Sequence, residues 1–550
     1  MGRKRQVKYF GNALKGDFLT DDDCRKLDTI LQIHDGSGSI PDLANKIVDL
    51  DEDQVESVIN NGFLLGDVKE GKLKDYQTVN VAYAYFAKRA ILGAGTGMGK
   101  TPIVAGVINL LREEYEDRGR DFSYLFLGER NSLRQIQRKL VRFTGEPVQV
   151  TTGEKHVLER VFSEHPLETR PNLLVSHSAL DKHLFYDAVN DYKNSNGKPP
   201  FDIVVIDESS NIGVATGSTG SMKNKKFKNL QWIMEGVDYR IGLNATPMGL
   251  NLLTFFHQIH LVDESLLPTK TNFMERYVVQ EYDHFAGYKK PTGEYRHSEE
   301  FQELVKYRYL GSTRKGYGGT ISNCKGELIS VPLTPVQERL LKETSMPKMV
   351  YDCPWYFDRS IPVLPSNAEK LGVVRDKIEE LSPRGEPVFI YAHNLESQYG
   401  IKYYLEGVGI YPEILNGTQT FEQKQEIIER FSSGETRVLI SNVEKSLDFE
   451  VCKNLIFYTS ITDPSKMQQI EGRFTRGFNI EGLRVVMLTT KGKEEKKLLE
   501  EVAPLARANQ DFTSEDFSIS FNILYEAVKK KDSDGEMEEF IPEGLIIPEF

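Results

Sequence analysis

With 550 residues and a formal net charge of −12, the chain is longer than one hydrophobic core usually supports, so we expect two large domains with smaller appendages. Its four cysteines, Cys24, Cys324, Cys353 and Cys452, show no CxxC spacing, which argues against a zinc site and a disulfide scaffold. No apolar run approaches the roughly 18 residues of a membrane span, and no signal-peptide core follows the basic N-terminus. We therefore expect no membrane partner and an intracellular protein, cytoplasmic, or nuclear in a eukaryote, or in the host cytoplasm if viral.

Residues 1–70 predict a small helical accessory module. Aspartates at 21–23 can cap a first helix, residues 39–48 read as a second helix, and residues 55–61 read as a third. Such short helices resemble a helix-turn-helix unit that reads DNA. Acidic side chains between the second and third helices would repel a DNA backbone, so a packing or partner-docking role is favoured.

A glycine-rich stretch at 93–101 follows an apolar strand pattern and precedes an apolar helical pattern. In this context Gly97 and Gly99 let several backbone N–H groups face one anion, and the helix N-terminus adds its positive end. Lys100 is then placed to reach the β- and γ-phosphates, and the Thr101 hydroxyl to hold Mg²⁺. The stretch therefore predicts a nucleotide-binding phosphate loop.

Tyr76 and Gln77 lie a short distance upstream of this loop. In front of a phosphate loop, Gln77 is well placed to hydrogen-bond the edge of an adenine base, and Tyr76 to pack against it. We therefore predict that both side chains contact the base of the bound nucleotide.

The first half alternates apolar strand patterns with helical patterns, which predicts a parallel sheet covered on both faces. The strand patterns lie at 124–127, 172–178, 201–208 and 240–247. Ligands of such sheets bind at the carboxyl ends of the strands. At one such end, Asp207 is predicted to hold Mg²⁺, and Glu208 to orient or deprotonate the water that attacks the γ-phosphate. The Ala-Thr-Pro sequence at 245–247 is predicted to sense the γ-phosphate.

Several polar side chains at predicted strand ends and loops are candidates for contacts with nucleic-acid phosphates. They are Asn131, Ser176, His177, Lys223, Lys225, Lys226 and Ser441. The lysines lie near a stretch rich in Gly and Ser, which fits a mobile phosphate-contacting loop and equally a solvated surface. Aromatic and basic residues interleave over 280–325, as base stacking would require, but an irregular insertion at a domain junction is favoured there.

The second half repeats the α/β alternation without a phosphate loop. Strand patterns lie at 386–392, 437–441, 454–458 and 484–488, and helical patterns at 395–406 and 422–431. Gln469, Arg473 and Arg476 are predicted to share one face of a further helix. Arginines with that support can donate to a γ-phosphate when a cleft between two domains closes.

The ordered set of motifs between residues 72 and 500 resembles the superfamily 2 helicases and translocases. The matching motifs are Gly97-x-Gly99-Lys100-Thr101 (motif I), Asp207-Glu208 (motif II), Ala245-Thr246-Pro247 (motif III) and Gln469-x-x-Gly472-Arg473-x-x-Arg476 (motif VI). Within the superfamily the chain most resembles SWI/SNF-type DNA translocases, through Gly-Met-Gly-Lys-Thr, the residues that follow motif III, and Leu-Thr-Pro-Val-Gln at 333–337. Its compact size also resembles UvsW-like phage branch-migration helicases.

Three motifs depart from the family pattern. Motif II reads Asp-Glu-Ser-Ser, which is neither the DEAD nor the DEAH form. Motif III has Asn244 where Thr is common, and motif V, around 441–448, is short and lacks its glycine. We expect these departures to affect coupling between the domains more than ATP hydrolysis.

The resemblance implies an α/β fold with two tandem RecA-like parallel-sheet domains behind the helical module. The expected divisions are 1–70 (module), 71–270 (first domain), 271–365 (insertion or connector), 366–505 (second domain) and 506–550 (extension with an acidic tail). It also implies ATP and Mg²⁺ as cofactors and a DNA helicase or translocase on duplex or branched DNA, in remodelling, branch migration, repair or recombination. An RNA helicase and an ATP-switched nucleic-acid-binding scaffold with weak hydrolysis are the alternatives.

Overall fold

The computed structural model describes residues 18–34, 47–61, 69–95, 97–213, 225–248, 252–267, 269–283, 288–313, 319–442, 449, 451–475, 479–507, 518–534 and 545–546. The described residues form two compact units, one ending at residue 313 and the other beginning at residue 319. Each unit contains one seven-stranded sheet in which nearly all neighbouring strands are parallel. The predicted α/β fold with two parallel-sheet domains is therefore confirmed.

The first unit contains eleven described strands and twelve described helices. The strands are β1 (Ile47–Asp49), β2 (Lys69–Gly71), β3 (Arg89–Ala94), β4 (Tyr124–Gly128), β5 (Gln149–Thr151), β6 (Leu173–Ser176), β7 (Ile203–Asp207), β8 (Tyr239–Leu243), β9 (Val278–Asp283), β10 (Tyr288–Tyr295) and β11 (Tyr309–Ser312). The helices are α1 (Asp21–His34), α2 (Glu52–Asn61), α3 (Asp75–Ala87), α4 (Lys100–Asp117), α5 (Leu133–Thr144), α6 (Lys155–Glu164), α7 (His183–Asn196), α8 (Ser210–Gly213), α9 (Lys225–Met234), α10 (Leu252–Val262), α11 (Lys270–Tyr277) and α12 (Ser298–Val305). Short 3₁₀ segments lie at Arg130–Ser132, Leu167–Thr169 and His177–Asp181.

The sheet of the first unit runs in the order β11-β3-β8-β7-β4-β6-β5, with every neighbouring pair parallel. Strands β4 and β6 are buried at every position, so both faces of the sheet are covered, as their continuous apolar sequences predict. Leu92 of β3 and Asp207 of β7 both lie opposite Leu243 of β8. The loops that follow these three strands therefore leave the sheet at the same level of one edge.

The N-terminal module contains a two-stranded hairpin as well as helices. Helices α1 and α2 are present, but β1 pairs antiparallel with β2, with Ile47 opposite Gly71. The predicted helix at 39–48 is therefore wrong for Ile47 and Val48, because their β-branched side chains lie in a paired strand; the rest of that helix is outside the described residues. Acids of this module pair with arginines of α5, including Asp49 with Arg142 at 3.0 Å.

Most described residues of the segment predicted as an irregular insertion belong to strands or to a helix. Strands β9 and β10 form an antiparallel hairpin, α12 follows, and β11 adds to the edge of the first sheet beside β3. Arg308, immediately before β11, is fully buried and donates to Asp263 at 2.8 Å. The segment resembled a loop in sequence because backbone pairing in a hairpin and one buried ion pair order it, and no apolar run does.

The second unit contains nine described strands and eight described helices. The strands are β12 (Ile321–Ser322), β13 (Lys325–Val331), β14 (Val388–Tyr391), β15 (Glu413–Leu415), β16 (Val438–Ser441), β17 (Asn454–Phe457), β18 (Ile480–Glu481), β19 (Arg484–Thr490) and β20 (Leu545–Ile546). The helices are α13 (Pro335–Glu343), α14 (Pro347–Asp352), α15 (Lys370–Leu381), α16 (Leu395–Gly407), α17 (Phe421–Ser433), α18 (Pro464–Glu471), α19 (Lys493–Lys497) and α20 (Ile519–Asp534). A 3₁₀ segment lies at Pro354–Tyr356 and a π-helical segment at Leu498–Val502.

The second sheet runs in the order β15-β16-β14-β17-β19-β13-β20, and only β20 is antiparallel to its neighbour. The predicted connector at 271–365 thus contributes strands to both sheets, β11 to the first and β13 to the second. Helix α20 packs so closely on β13 that a Cβ at Gly326 would collide with Ile523. The C-terminal helix is consequently part of the hydrophobic core of this unit.

Some features are absent from the part of the chain that the structure describes. No helix there is long and apolar enough to cross a membrane. The four cysteines are buried and form no disulfide. Among the described residues there is also no cluster of three or more His, Cys, Asp or Glu side chains that could hold a metal ion.

Candidate active site

The phosphate loop connects β3 to α4 with the backbone that the sequence predicts. Gly97 and Gly99 have φ values of 79° and 80°, a left-handed conformation that side chains other than glycine rarely adopt. A Cβ at Gly99 would also collide with the Gln77 amide. Helix α4 begins at Lys100, so its first N–H groups are directed toward the loop, as an anion site requires. Thr96 lies outside the described residues.

Tyr76 and Gln77, on the first turn of α3, contact the loop itself. The Tyr76 hydroxyl donates to the Met98 carbonyl at 2.9 Å, and the Gln77 amide donates to the same oxygen at 3.3 Å. The Gln77 carbonyl accepts from the Lys74 N–H at 3.0 Å. Both side chains therefore hold the phosphate loop in place; their predicted contact with adenine stays a prediction.

Asn80 and Ser312, which the sequence did not single out, also hold the phosphate loop in place. The Gly95 N–H donates to the Ser312 carbonyl at the end of β11, at 3.4 Å. The Ser312 hydroxyl in turn accepts from the Asn80 amide at 2.9 Å, and both side chains are fully buried. This contact joins residues 232 positions apart, so no local sequence pattern could have revealed it.

Lys100, Thr101 and Asp207 provide the groups that a magnesium nucleotide needs. The Lys100 ammonium donates to the Ala94 carbonyl at 3.2 Å, and Thr101 follows it on the first turn of α4. Burial and the neighbouring Glu208 carboxylate raise the pKa of Asp207 to about 7, and the Lys100 ammonium opposes this rise. Hydroxyl and carboxylate oxygens are the ligands that Mg²⁺ prefers, so the donor set fits this ion.

Glu208 has a φ of 49°, which places a non-glycine residue in the left-handed region directly after β7. Such conformations persist only where surrounding contacts enforce them, and they are common at active sites. Here the backbone is held on both sides of the turn: the Ser209 N–H donates to the Leu243 carbonyl at 3.1 Å, and the Glu208 carbonyl accepts from the Asn211 N–H at 2.9 Å. The turn therefore sets the direction of the Glu208 side chain.

Gln258, on α10, joins motif II to motif III and was missed in the sequence. Its carbonyl oxygen accepts from the Ser209 hydroxyl at 2.7 Å and from the Asn244 amide at 3.0 Å, and all three side chains are fully buried. The Asn244 carbonyl in turn accepts from the Thr246 N–H at 3.0 Å. Two of the residues that depart from the family pattern, Ser209 and Asn244, are thus partners of one glutamine.

The hydroxyl of Thr246 lies in the same region of the first unit. It is buried and has no hydrogen-bond partner among the described residues. A buried unpaired hydroxyl costs free energy unless a ligand or water satisfies it. This observation is compatible with the predicted contact between motif III and a phosphate.

In the second unit Gln469 and Arg473 of motif VI do not lie on one helix. Helix α18 ends at Glu471, and Arg473 lies in the turn that follows, where its N–H donates to the Ile470 carbonyl at 3.0 Å. Gln469 is on the helix and buried, while Arg473 is partly exposed. The predicted helix therefore ends too early to carry Arg473, because the chain turns at Gly472. Arg476 lies outside the described residues.

The candidate nucleic-acid contacts differ in their exposure. Asn131 and Lys225 are exposed, and Lys226 lies 3.5 Å from the carboxylate of Asp181. Ser176, His177 and Ser441 are buried. The Ser176 hydroxyl bonds to that of Ser178 at 2.7 Å, His177 Nδ1 is 4.0 Å from the Glu129 carboxylate, and the Ser441 hydroxyl donates to the Leu415 carbonyl at 2.6 Å. Lys223 lies outside the described residues.

Two family descriptions match the chain in succession. "Type III restriction enzyme, res subunit" matches residues 70–249, and "Helicase conserved C-terminal domain" matches residues 369–490. The first match covers the phosphate loop, motif II and motif III. The second match covers motif VI, at residues 469–476. No curated protein matches the chain.

Solved structures with a similar fold include the ATP-dependent Type ISP restriction–modification enzyme LlaBIII bound to DNA. It is 14% identical, with a TM-score of 0.51, and the similarity covers 81% of this chain and 30% of that chain. The SWI2/SNF2 ATPase core of Sulfolobus solfataricus in complex with dsDNA is 17% identical over 84% of this chain and 97% of that chain, with a TM-score of 0.37. The helicase domains imply the use of ATP. On its ordered motifs and the two successive family matches, this chain belongs to superfamily 2 of the helicases and translocases.

Proposed function

We propose that this protein is an ATP-dependent motor that moves along duplex or branched DNA, as a translocase or a helicase. The proposal depends on one observation: the phosphate loop and the Asp207-Glu208 pair leave the same edge of the first sheet, at the level of Leu243 in the strand between them. A phosphate cradle beside an acidic pair is the arrangement that phosphoryl transfer to water needs. DNA remodelling, branch migration, repair and recombination are the processes in which we expect such a motor to act.

In the proposed mechanism each side chain has a separate task. The N–H groups of the loop and Lys100 bind the phosphates of ATP, Tyr76 and Gln77 contact its adenine, and Thr101 and Asp207 hold Mg²⁺. The ion, when bound, neutralises charge that develops on the phosphate oxygens. Glu208 orients the attacking water and accepts its proton.

Gln469, Arg473 and Arg476 are proposed to act on the γ-phosphate from the second unit. A guanidinium group can donate two parallel hydrogen bonds to phosphate oxygens and carries a charge that persists at any working pH. Hydrolysis would then change the interaction between the two units, and this change would move the motor along its track.

DNA is proposed as the track because of the motifs shared with SWI/SNF-type translocases. The likeness in fold to LlaBIII, whose structure is bound to DNA, makes DNA the first substrate to test. A motor that follows a backbone needs phosphate contacts and little base recognition, so we expect low sequence specificity. The exposed Asn131 and Lys225 are the described candidates for such contacts.

The test is the ATPase rate of the purified full chain with five additions: none, single-stranded DNA, duplex DNA, forked or four-way DNA, and RNA. We expect duplex or branched DNA to stimulate hydrolysis most, with salt weakening the stimulation because phosphate contacts release counterions. Lys100→Ala is the matched control and should remove the stimulated rate while the protein stays folded.

Two results would contradict the proposal. Stronger stimulation by RNA than by any DNA would make the protein an RNA helicase. Absence of stimulation by every nucleic acid, with measurable ATP binding, would favour an ATP-switched scaffold.

A further inference from the structure

Glu471 is a charged residue in the core of the second unit, and its carboxylate is held entirely by the start of the C-terminal helix. Only 3% of the residue is exposed. One oxygen accepts from the Ile519 N–H at 2.8 Å, and the other accepts from the Ser520 N–H at 3.0 Å and from the hydroxyls of Ser518 and Ser520 at 2.9 and 2.8 Å. We call this set of four hydrogen bonds the C-terminal clasp.

The clasp stabilises the carboxylate without a cation. No Lys, Arg or His among the described residues forms an ion pair with Glu471. Burial raises the pKa of Glu471, and the hydrogen bonds from residues 518–520 oppose that rise. Two of the donors are N–H groups at the N-terminus of α20, where the helix dipole also favours a negative charge. The four donors match the acceptors of an ionised carboxylate, so the site is specific for a side chain of this type.

The other side of the clasp is rigid. Ile519, Phe521, Ile523 and Leu524 of α20 belong to the hydrophobic core of the second unit, together with Ile470 and Phe474. The Ser518 and Ser520 side chains are fully buried. The start of α20 therefore cannot shift without repacking the core, and it fixes the end of α18.

Glu471 also lies within the segment that carries the proposed phosphate contacts. It is two residues after Gln469 and two before Arg473. The Arg473 carbonyl accepts from the Phe449 N–H at 3.1 Å, and the rings of Phe449 and Phe474 stack with centroids 5.7 Å apart. The backbone around Arg473 is thus held on one side by Phe449 and on the other by the clasp.

We propose that Glu471 is a positioning residue for ATP hydrolysis, through which the C-terminal helix sets the placement of Arg473. The start of α20, at residues 518–520, lies beyond the matched helicase domains and is then a working part of the ATPase. The inference depends on the proposed function, because it assigns Arg473 a role in hydrolysis. Glu471 itself is proposed to contact no substrate.

The principal test is Glu471→Gln in the full chain, measured as kcat and KM for ATP in the presence of duplex DNA. Glutamine keeps the shape, but its NH₂ group faces donors, so the clasp opens. We expect kcat to fall about tenfold while KM changes less than twofold, because an interaction used in the transition state is lost. The double variant Ser518→Ala/Ser520→Ala keeps both backbone donors, and we expect a smaller loss of about threefold in kcat.

The matched control is Glu526→Gln on the same helix. Glu526 forms an exposed pair with Lys529, so its loss should leave kcat unchanged. A second control separates positioning from general destabilisation. In a protein that already carries Arg473→Lys, adding Glu471→Gln should lower kcat by clearly less than tenfold, because the guanidinium group that Glu471 positions is no longer there. If Glu471→Gln does not fold, the serine variant supplies the same comparison.

The outcomes distinguish this inference from the proposed function. A lower unfolding temperature with wild-type kcat in both clasp variants would overturn the positioning role and leave a purely structural one. The positioning role would also be overturned if Glu471→Gln lowered kcat by the same factor with and without Arg473→Lys. If Lys100→Ala and Arg473→Ala also keep wild-type ATPase rates, the proposed function itself fails.

Discussion

The two units hold their candidate groups in different ways. In the first unit the phosphate loop, the acidic pair and motif III follow neighbouring strands, and Gln258 joins two of them through hydrogen bonds of 2.7 and 3.0 Å. In the second unit Arg473 lies in a turn that follows Glu471, which binds residues 47 to 49 positions away. A sheet edge therefore orders the candidate groups of the first unit, and the start of a helix distant in sequence holds the segment before Arg473 in the second unit.

The largest expected effect is on hydrolysis, from Glu208→Gln in the first unit. The substitution keeps the shape of the side chain but removes the base, and we expect kcat to fall about 100-fold or more. ATP binding, measured with a fluorescent nucleotide, should be retained, since the phosphate loop is untouched. Near-normal turnover would remove Glu208 from the mechanism and leave the edge of the first sheet without a catalytic base.

In either unit, a substitution that breaks a buried ion pair is expected to lower the free energy of unfolding strongly. Lys370 lies 2.9 Å from Asp352 and 3.1 Å from Glu494, and Arg308 lies 2.8 Å from Asp263, with the four side chains of Lys370, Asp352, Arg308 and Asp263 at most 1% exposed. Lys370→Met and Arg308→Met should each cost about 3–5 kcal/mol, because each leaves a buried carboxylate unpaired.

Calorimetry can measure which of the two units loses unfolding free energy in each of these variants. Lys402→Met is the matched control, because its pair with Glu406 is partly exposed and should contribute less than about 1 kcal/mol. An equal loss from Lys402→Met would show that the measurement does not resolve buried from exposed pairs. If a substitution lowers the stability of the unit that does not contain it, the division of the chain into two units is contradicted.

An intermediate effect is expected from Gln258→Leu. It leaves the Ser209 hydroxyl and the Asn244 amide buried without their shared acceptor, which should cost about 1–3 kcal/mol of unfolding free energy. We also expect a lower DNA-stimulated ATPase rate, because motifs II and III are no longer joined. The Gln258 amide also donates to the carbonyls of Pro247 and Thr254, so Gln258→Glu keeps the shared acceptor but loses these two bonds. We expect this variant to be destabilised as well and yet to retain more of the stimulation. Equal stimulated rates in both variants would mean that the shared acceptor has no role in turnover.

The smallest expected effect is that of Tyr76→Phe. It removes only the hydroxyl that donates to the Met98 carbonyl at 2.9 Å, a contact of about 1 kcal/mol. We expect KM for ATP to rise by about fivefold with kcat unchanged. Tyr85→Phe is the control, because that hydroxyl bonds to Glu114 at 2.8 Å, outside the loop. A fall in kcat instead would place Tyr76 in the chemical step.

Much of the first unit was predictable because its signals are local. Continuous apolar runs located the strands, and glycines followed by Lys100 and Thr101 located the loop, since the backbone at Gly97 and Gly99 requires that residue type. The parallel order of the strands then implied a shared edge for the loop and Asp207. The sequence alone did not identify Gln258 or Ser312, whose partners are remote and whose side chains give no periodic pattern.

The predictions from the sequence were wrong where polar residues, and not apolar runs, stabilise the structure. The stretch with β9, β10 and β11 resembled a loop, because its stability comes from cross-strand pairing and from the buried pair of Arg308 with Asp263. The helix expected at 39–48 failed at Ile47 and Val48, because pairing with β2 outweighs a weak helical pattern. The helix expected to carry Arg473 ended early at Gly472.

The sequence by itself determined that a phosphate loop, an acidic pair and an arginine motif occur in a fixed order on two α/β domains. Spacing and residue type are enough for that, because each motif is a short run of neighbouring residues. Only the tertiary structure decided which distant groups hold these motifs in place. Glu471 has a buried carboxyl group whose four hydrogen bonds come from residues 518–520, so the positioning role that we propose for it depends on a fold that brings the two segments together.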